Sequence, residues 1–241
     1  MFGSKTEAIQ IATPHLERFK SDIPAGRSGN WRVQKFEIER DGLSAVMAMI
    51  QHPDRPVAAG KYTRLVRIDQ PPDGPRPVCV MSDTPAEIMD HLPFIAEASG
   101  NVLVTGLGLG VVAKALADKP EVRHVTVIER SPDVIDLVRP HLRNEKLTVI
   151  HSDAYEYPRS LDPTAAADDR PFFQFGWHDI WDSISPENLE EMIQLKFAWD
   201  PFVNEQSCWC EGECMEMERV ERAMVYIAKL AGFREPVTSQ E

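Results

Sequence analysis

The chain has 241 residues, enough for one large domain or for a core domain with a small appendage. Its 43% apolar and 27% charged residues are typical of a soluble globular protein, and its net charge is −12. This acidic balance argues against a nucleic-acid partner, which would need a basic face. No apolar run is long enough to cross a membrane, and residues 1–5 lack the apolar stretch of a signal peptide, so we expect a cytoplasmic protein.

The first third of the chain predicts a helix and then a small antiparallel β unit. The helix is expected at residues 6–19, followed by a loop at residues 21–30 that is rich in Ser, Pro and Gly. Apolar and polar residues alternate after this loop, as they do in half-buried strands. Strands are expected at residues 31–39, 43–50, 62–68 and 78–81. We therefore assign residues 1–83 to an N-terminal helix and a small antiparallel β domain.

From residue 84 onward, short apolar strands alternate with helices. A helix at 84–99 has Pro85 in its first turn, where proline is well tolerated. Such alternation predicts a parallel sheet with right-handed crossovers, which is a doubly wound, Rossmann-like α/β fold over residues 84–241. Strands are expected at 101–105, 124–129, 147–151, 172–178 and 206–210, and helices at 109–118, 132–143, 186–199 and 213–231.

A glycine-rich turn follows the first of these strands. Gly106, Gly108 and Gly110 stand at alternate positions, and such a turn lets a ligand approach bare backbone at the carboxyl edge of a parallel sheet. A dinucleotide fingerprint needs its third glycine one position later, where this chain has Val111. The spacing therefore favours an adenosyl ligand without phosphates over a dinucleotide.

Acidic residues end the next two strands. Glu129 is placed to accept hydrogen bonds from the ribose hydroxyls of a nucleoside, although a solvated glutamate at a strand end is the plainer interpretation. Asp153, with Ala154 beside it, is placed to contact the adenine amine, or alternatively caps the turn that follows. Residues 101–153 thus predict a nucleoside-binding half-domain.

The fourth strand ends in a pair of carboxylates, Asp179 and Asp182, framed by Trp177 and Trp181. These carboxylates would orient or deprotonate an acceptor, and aromatic faces favour a cationic small molecule. The alternative is that the carboxylates cap a helix and the tryptophans pack in the core.

The cysteines give no sign of a metal site. Three of the four, Cys208, Cys210 and Cys214, have a spacing that does not match paired zinc-binding motifs, so we expect reduced thiols and no metal.

Three segments resemble the nucleoside-binding motifs of class I S-adenosylmethionine-dependent methyltransferases. They are residues 102–110, 127–135 and 152–154. A narrower resemblance is to the spermidine synthases of that superfamily. Residues 87–93 are similar to their E-M-x-x-H-L-P segment, and Asp179-Ile-Trp-Asp182 is similar to their D-x-x-D motif. The resemblance implies a class I methyltransferase type of fold, and it implies that S-adenosylmethionine is bound at Gly106, Gly108, Gly110, Glu129, Asp153 and Ala154.

The chain departs from the spermidine synthases at two places. Pro85 and Ala86 stand where those enzymes have a Tyr-Gln pair, and Leu109 replaces an aspartate that contacts the aminopropyl amine. We therefore expect a transferase of the methyltransferase type that acts on a small molecule, with Asp179 as the base. Aminopropyl transfer to a polyamine and non-catalytic nucleoside binding are the alternatives. By analogy, an isologous homodimer through the N-terminal β unit is one expected assembly.

Overall fold

The structure is a computed structural model that describes residues 15–39, 58–165 and 171–230, with side chains of the last helix described to residue 227. The strand expected at residues 43–50 lies outside these ranges, as does most of the helix expected at 6–19. Within the described ranges, no helix is long and apolar enough to cross a bilayer.

The N-terminal part forms a four-stranded antiparallel sheet in the order β1-β2-β3-β4. Its strands are β1 (Gly26–Ser28), β2 (Trp31–Ile38), β3 (Gly60–Asp69) and β4 (Arg76–Ser82). Three of these strands agree with the predicted ones. Strand β1 was predicted as loop, because it has only three residues and is a strand through its pairing with β2.

The second sheet has five parallel strands in the order β7-β6-β5-β8-β9, which confirms the Rossmann-like α/β fold. Its strands are β5 (Gly100–Thr105), β6 (Val122–Glu129), β7 (Leu147–His151), β8 (Phe173–His178) and β9 (Val203–Cys208). The chain order reverses between β5 and β8, which is the position where ligands bind in folds of this type.

Six α-helices connect and follow these strands in the described residues. They are α1 (Pro85–Glu97), α2 (Val111–Ala117), α3 (Pro132–Val138), α4 (Glu156–Arg159), α5 (Asn188–Trp199) and α6 (Glu211–Leu230).

Among the elements whose bounds differ from the predicted ones, α3 and β9 differ for reasons that the sequence explains. Helix α3 ends at Val138 and continues as a single 3-10 turn, Arg139–His141, because Pro140 cannot donate a helical hydrogen bond. Strand β9 begins three residues earlier than expected, since its polar residues Asn204 and Glu205 hide the apolar pattern of a strand.

The two sheets share one hydrophobic core. Leu65 and Met81 of the antiparallel sheet belong to the same buried cluster as Val104 of β5 and Leu109 of the following loop. Strand β5 is buried on both faces from Val102 to Thr105, as expected of a central parallel strand. The antiparallel sheet therefore covers the carboxyl end of the parallel one.

We predict that Asp83, just after β4, is a main support of this arrangement. Its buried carboxylate accepts hydrogen bonds from the backbone N–H of Ser21 at 3.0 Å and of Thr63 at 2.6 Å. Because Asp83→Ala leaves two buried donors unsatisfied, it should lower the free energy of unfolding by about 2–4 kcal/mol. Urea denaturation measures this loss. Asp83→Asn keeps one acceptor and should lose less, and equal losses in the two variants would contradict the assignment.

Candidate active site

A cavity of about 190 Å³ lies at the switch point, between the carboxyl ends of the parallel strands and the antiparallel sheet. The parallel sheet contributes residues that follow β5, β6, β7 and β8, and the antiparallel sheet contributes side chains from β2, β3 and β4. The lining residues used below are Trp31, Arg67, Met81, Glu87, Gly106, Gly108, Glu129, Asp153, Ala154, Asp179, Trp181 and Trp209. Among the predicted site residues, Gly110 and Asp182 are not part of this lining.

The glycine turn adopts a backbone that side chains rarely allow. Gly106 and Gly108 have φ angles of +92° and +50°. A Cβ atom at Gly106 would collide with the carbonyl oxygen of Asp179, and one at Gly108 would collide with the sulfur of Met81. These glycines therefore permit close contact with β8 on one side and with β4 on the other. Gly110, at +71°, begins α2 and packs close to Leu142.

Glu129 holds the glycine turn against the start of α3. Its Oε2 accepts a hydrogen bond from the backbone N–H of Leu107 at 2.8 Å, and its Oε1 accepts one from Ser131 at 2.7 Å. A carboxylate has about four acceptor positions, so two remain for further donors. The carboxylate is thus fixed at the cavity wall with acceptor capacity to spare.

Asp153 caps the turn after β7 and also lies at the cavity. Its Oδ1 accepts hydrogen bonds from the backbone N–H of Tyr155 at 2.8 Å and of Glu156 at 3.3 Å, so it caps the turn before α4. The residue also lines the cavity. Neighbouring Ala154 is buried, and its carbonyl oxygen accepts a hydrogen bond from Trp199 Nε1 at 3.0 Å.

Asp179 is the most perturbed acid of the cavity. Its carboxyl keeps some accessible surface toward the cavity although protein surrounds it closely, and within the described residues no group donates a hydrogen bond to it. Burial, with the added effect of the charges of Glu87 and Asp90, raises the pKa of Asp179 to about 8. Asp179 is therefore mostly protonated at neutral pH.

Asp182 lies outside the cavity lining, in an ion pair. Its Oδ2 is 2.7 Å from a guanidinium nitrogen of Arg67 on β3, whose Nε also donates to Asp69 at 2.6 Å. Arg67 itself lines the cavity and lies over the ring of Trp31, 5.7 Å from its centroid. Sequence reasoning missed Arg67, because its contact with Asp182 joins two segments that are far apart in the chain.

The two tryptophans beside Asp179 have different positions. Trp181 lines the cavity and donates a hydrogen bond to Glu191 at 2.9 Å, whereas Trp177 packs in the core against His91 and Phe94. Trp209, after β9, adds another aromatic face to the cavity and donates to Asp90 at 3.2 Å. The cavity is therefore lined by Trp181 and Trp209, whereas Trp177, which was expected beside the carboxylates, lies in the core.

His178 turns away from the cavity, as strand alternation predicts. Its Nδ1 lies 3.0 Å from the Thr105 hydroxyl, and its Nε2 lies 3.0 Å from Gln206 Oε1. Gln206 donates through its own amide to the Lys196 carbonyl, which makes its oxygen the acceptor from His178. Burial lowers the pKa of His178 to about 4, so this fully buried imidazole is neutral at physiological pH.

The cysteines at and after the end of β9 are reduced thiols. Cys208, Cys210 and Cys214 are buried, and burial raises the pKa of Cys208 to about 12. In the part of the chain that the structure describes, no group of His, Cys, Asp and Glu has the arrangement of a metal site.

No protein-family model matches the chain, and no curated protein matches it. Among solved structures, the chain is similar to a spermidine synthase from Thermotoga maritima, with 18% identity, a TM-score of 0.42, and coverage of 77% of this chain and 55% of that one. It is also similar to a spermidine synthase in complex with the transition-state analogue AdoDATO, at 18% identity, a TM-score of 0.42 and coverage of 75% and 54%. A third is human methyltransferase-like protein 13 in complex with SAH, at 16% identity, a TM-score of 0.34 and coverage of 48% and 58%.

These neighbours are two spermidine synthases and a methyltransferase-like protein. The chain spans about half of the length of the solved structures that it matches. At these identities the similarity concerns the fold.

We predict that Asp179→Asn stabilises the protein in a pH-dependent way. The unfolded aspartate ionises near its ordinary pKa of 3.8 whereas the folded one keeps its proton to about pH 8, so ionisation increasingly favours the unfolded wild type between these values. The variant should match the wild type near pH 4 and exceed it by about 1–3 kcal/mol above pH 8.

Urea denaturation at several pH values measures this difference. Asp182→Asn serves as the control, because that carboxylate is exposed and paired with Arg67. A gain for Asp179→Asn that is constant across pH would contradict the raised pKa.

Proposed function

We propose that the protein is an S-adenosylmethionine-dependent methyltransferase that acts on a small molecule. The observation that supports this most is the composition of one cavity. Four residues stand at or just after the carboxyl ends of neighbouring strands and line the same space. In the order β7, β6, β5 and β8, they are Asp153, Glu129, Gly106 and Asp179. The arrangement suits an elongated nucleoside that crosses the carboxyl edge of the sheet.

In this proposal each strand end contacts one part of the ligand. Asp153 and Ala154 would lie beside the adenine, and Glu129 would accept hydrogen bonds from the ribose hydroxyls through its remaining acceptor positions. Gly106 and Gly108, which line the cavity, would present bare backbone to the 5′ end of the nucleoside. Asp179 would then face the reacting end.

The donor and acceptor groups fit an adenosyl ligand, but the space is small. Ligand pockets typically hold about 300–1,000 Å³, compared with about 190 Å³ here. Met81 accounts for part of the difference, because its sulfur lies over Gly108, 3.2 Å from the backbone nitrogen of Leu109. Methionine changes rotamer easily, so rotation of this side chain would enlarge the cavity without backbone movement.

The chemistry asks little of the protein beyond alignment. S-adenosylmethionine supplies an activated methyl group on a sulfonium centre, and the chain has to orient the acceptor and exclude water. Asp179 would hold or accept the proton of the acceptor. Trp31, Trp181 and Trp209 line the cavity, and aromatic side chains of this kind would favour a flat or cationic small molecule as acceptor.

Aminopropyl transfer is a second candidate, and the acidic character of the cavity favours it. Glu87 lines the cavity and Asp90 contributes its charge nearby, and these acids would attract the positive charge of an amine. Against it, Leu109 is fully buried at the position where the resemblance implies an acid for the aminopropyl amine. We therefore favour methyl transfer.

Calorimetric titration with S-adenosylmethionine and S-adenosylhomocysteine tests the proposal. The wild type should bind both, and Glu129→Ala should weaken binding about 10- to 100-fold, since it removes charged hydrogen-bond acceptors. Glu145→Ala, which changes an exposed glutamate away from the cavity, should bind like the wild type. No binding of either ligand to the wild type would refute the proposal.

Asp179→Asn separates binding from chemistry. It should retain ligand affinity within a few-fold and lose methyl transfer to an acceptor identified by screening. Turnover with decarboxylated S-adenosylmethionine and an amine would instead support aminopropyl transfer. Binding without any turnover would indicate a nucleoside-binding protein that lacks catalysis.

A further inference from the structure

Helix α6 leaves the body of the protein after its first turn. Cys214 is buried and Glu211 forms an ion pair with Lys196 of α5, at 2.5 Å. Beyond them, every residue from 215 to 227 is exposed except Glu218, which is half-buried. Seven large apolar side chains of this segment are 41–64% exposed. They are Met215, Met217, Val220, Met224, Val225, Tyr226 and Ile227.

Four of these side chains share one face of the helix. Met217, Val220, Met224 and Ile227 are spaced by three, four and three residues, and we call them the α6 stripe. This spacing is that of a coiled-coil seam, which packs against one other helix. Exposed apolar patches of this kind usually mark an interaction site.

The charges of α6 favour a second copy of the same helix, running in the opposite direction. Five glutamates lie in its first eleven residues, at positions 211, 213, 216, 218 and 221. From Arg222 to the end at Leu230 the helix contains no acid. A parallel copy would bring the acidic halves together, whereas an antiparallel copy places each acidic half beside an acid-free half and also opposes the helix dipoles favourably.

Exposed residues on α5 agree with this direction. Ile193 and Phe197, one helical turn apart, are 64% and 80% exposed. Phe197 adjoins Lys196, whose ion pair with Glu211 marks the start of α6. In an antiparallel pair, the C-terminal half of the partner's α6 lies beside the N-terminal end of this α6. It would therefore cover Ile193 and Phe197. Together with the α6 stripe, these two side chains make six large apolar residues that are 41–80% exposed, and a standard interface of roughly 800 Å² per subunit would cover them.

We propose that α6 is the interface between two copies of this chain, paired antiparallel along the α6 stripe. One surface patch then satisfies both subunits through a twofold axis, as in most homodimers. The interface lies at α6 rather than at the N-terminal β unit considered from the sequence. It is independent of the proposed enzymatic function.

Two methionine substitutions test the stripe. Met224 and Met215 are similarly exposed, at 63% and 58%, and lie nine residues apart, on opposite faces of the helix. At micromolar concentration, the wild type and Met215→Glu should have twice the 27.2 kDa chain mass by light scattering. Met224→Glu should be monomeric, because it buries an unpaired carboxylate in the interface.

All three proteins should unfold at the same temperature when compared as monomers at high dilution, since the side chains are exposed in the isolated chain. A monomeric wild type would overturn the proposal, and so would a dimer that survives Met224→Glu. A monomeric wild type would indicate that the α6 stripe binds another protein or residues beyond 230 of the same chain.

Cysteine cross-linking tests the direction. Cys79 is the exposed native thiol of the described residues, so Cys79→Ser provides the background. In an antiparallel pair residue 217 of one copy approaches residue 227 of the other, and a mixture of Met217→Cys and Ile227→Cys should form mixed disulfide dimers on oxidation. Each variant alone should stay uncross-linked. Cross-linking of the single variants would indicate a parallel pair and contradict the proposed direction.

Discussion

The candidate site depends on the close approach of β5 and β8, which only a glycine at position 106 allows. A side chain there would collide with the Asp179 carbonyl oxygen. Backbone hydrogen bonds maintain the approach, from Asp179 N–H to Thr105 at 2.9 Å and from Gly106 N–H to Ile128 at 2.8 Å. Backbone hydrogen bonds thus join three neighbouring strands at their carboxyl ends, and the side chains at these ends line one cavity.

Burial keeps two adjacent residues at the end of β8 mainly uncharged at neutral pH. Burial lowers the pKa of His178 to about 4 on one face, while burial and nearby acids raise the pKa of Asp179 to about 8 on the other. Both side chains are therefore mainly neutral at pH 7, and the histidine is fully hydrogen-bonded. Asp179 has no such partner in the described chain, so its protonation remains sensitive to the charge of an arriving ligand.

The alternation of strands and helices, the glycine turn and the acid at the end of β6 were predictable from sequence, because local periodicity and spacing encode them. The contacts that cover the site could not be predicted from the sequence. Met81 over Gly108 and Arg67 beside Asp182 join segments that are distant in the chain, and no local pattern signals such contacts. The position of Trp177 was predicted wrongly for a related reason, since its ring packs against His91 and Phe94 of α1, which are distant in the chain.

The two sheets accordingly have separate contributions to specificity. The parallel sheet presents backbone and acids suited to a common ligand, whereas the antiparallel sheet contributes Trp31, Arg67 and Met81, which limit the size and charge of whatever enters from that side. Changes at Trp31 or Arg67 would therefore alter the lining of the cavity, whereas a change at Met81 would also affect the glycine turn that it contacts. None of the α6 stripe residues lines the cavity, so association of two chains and binding at the site should vary independently.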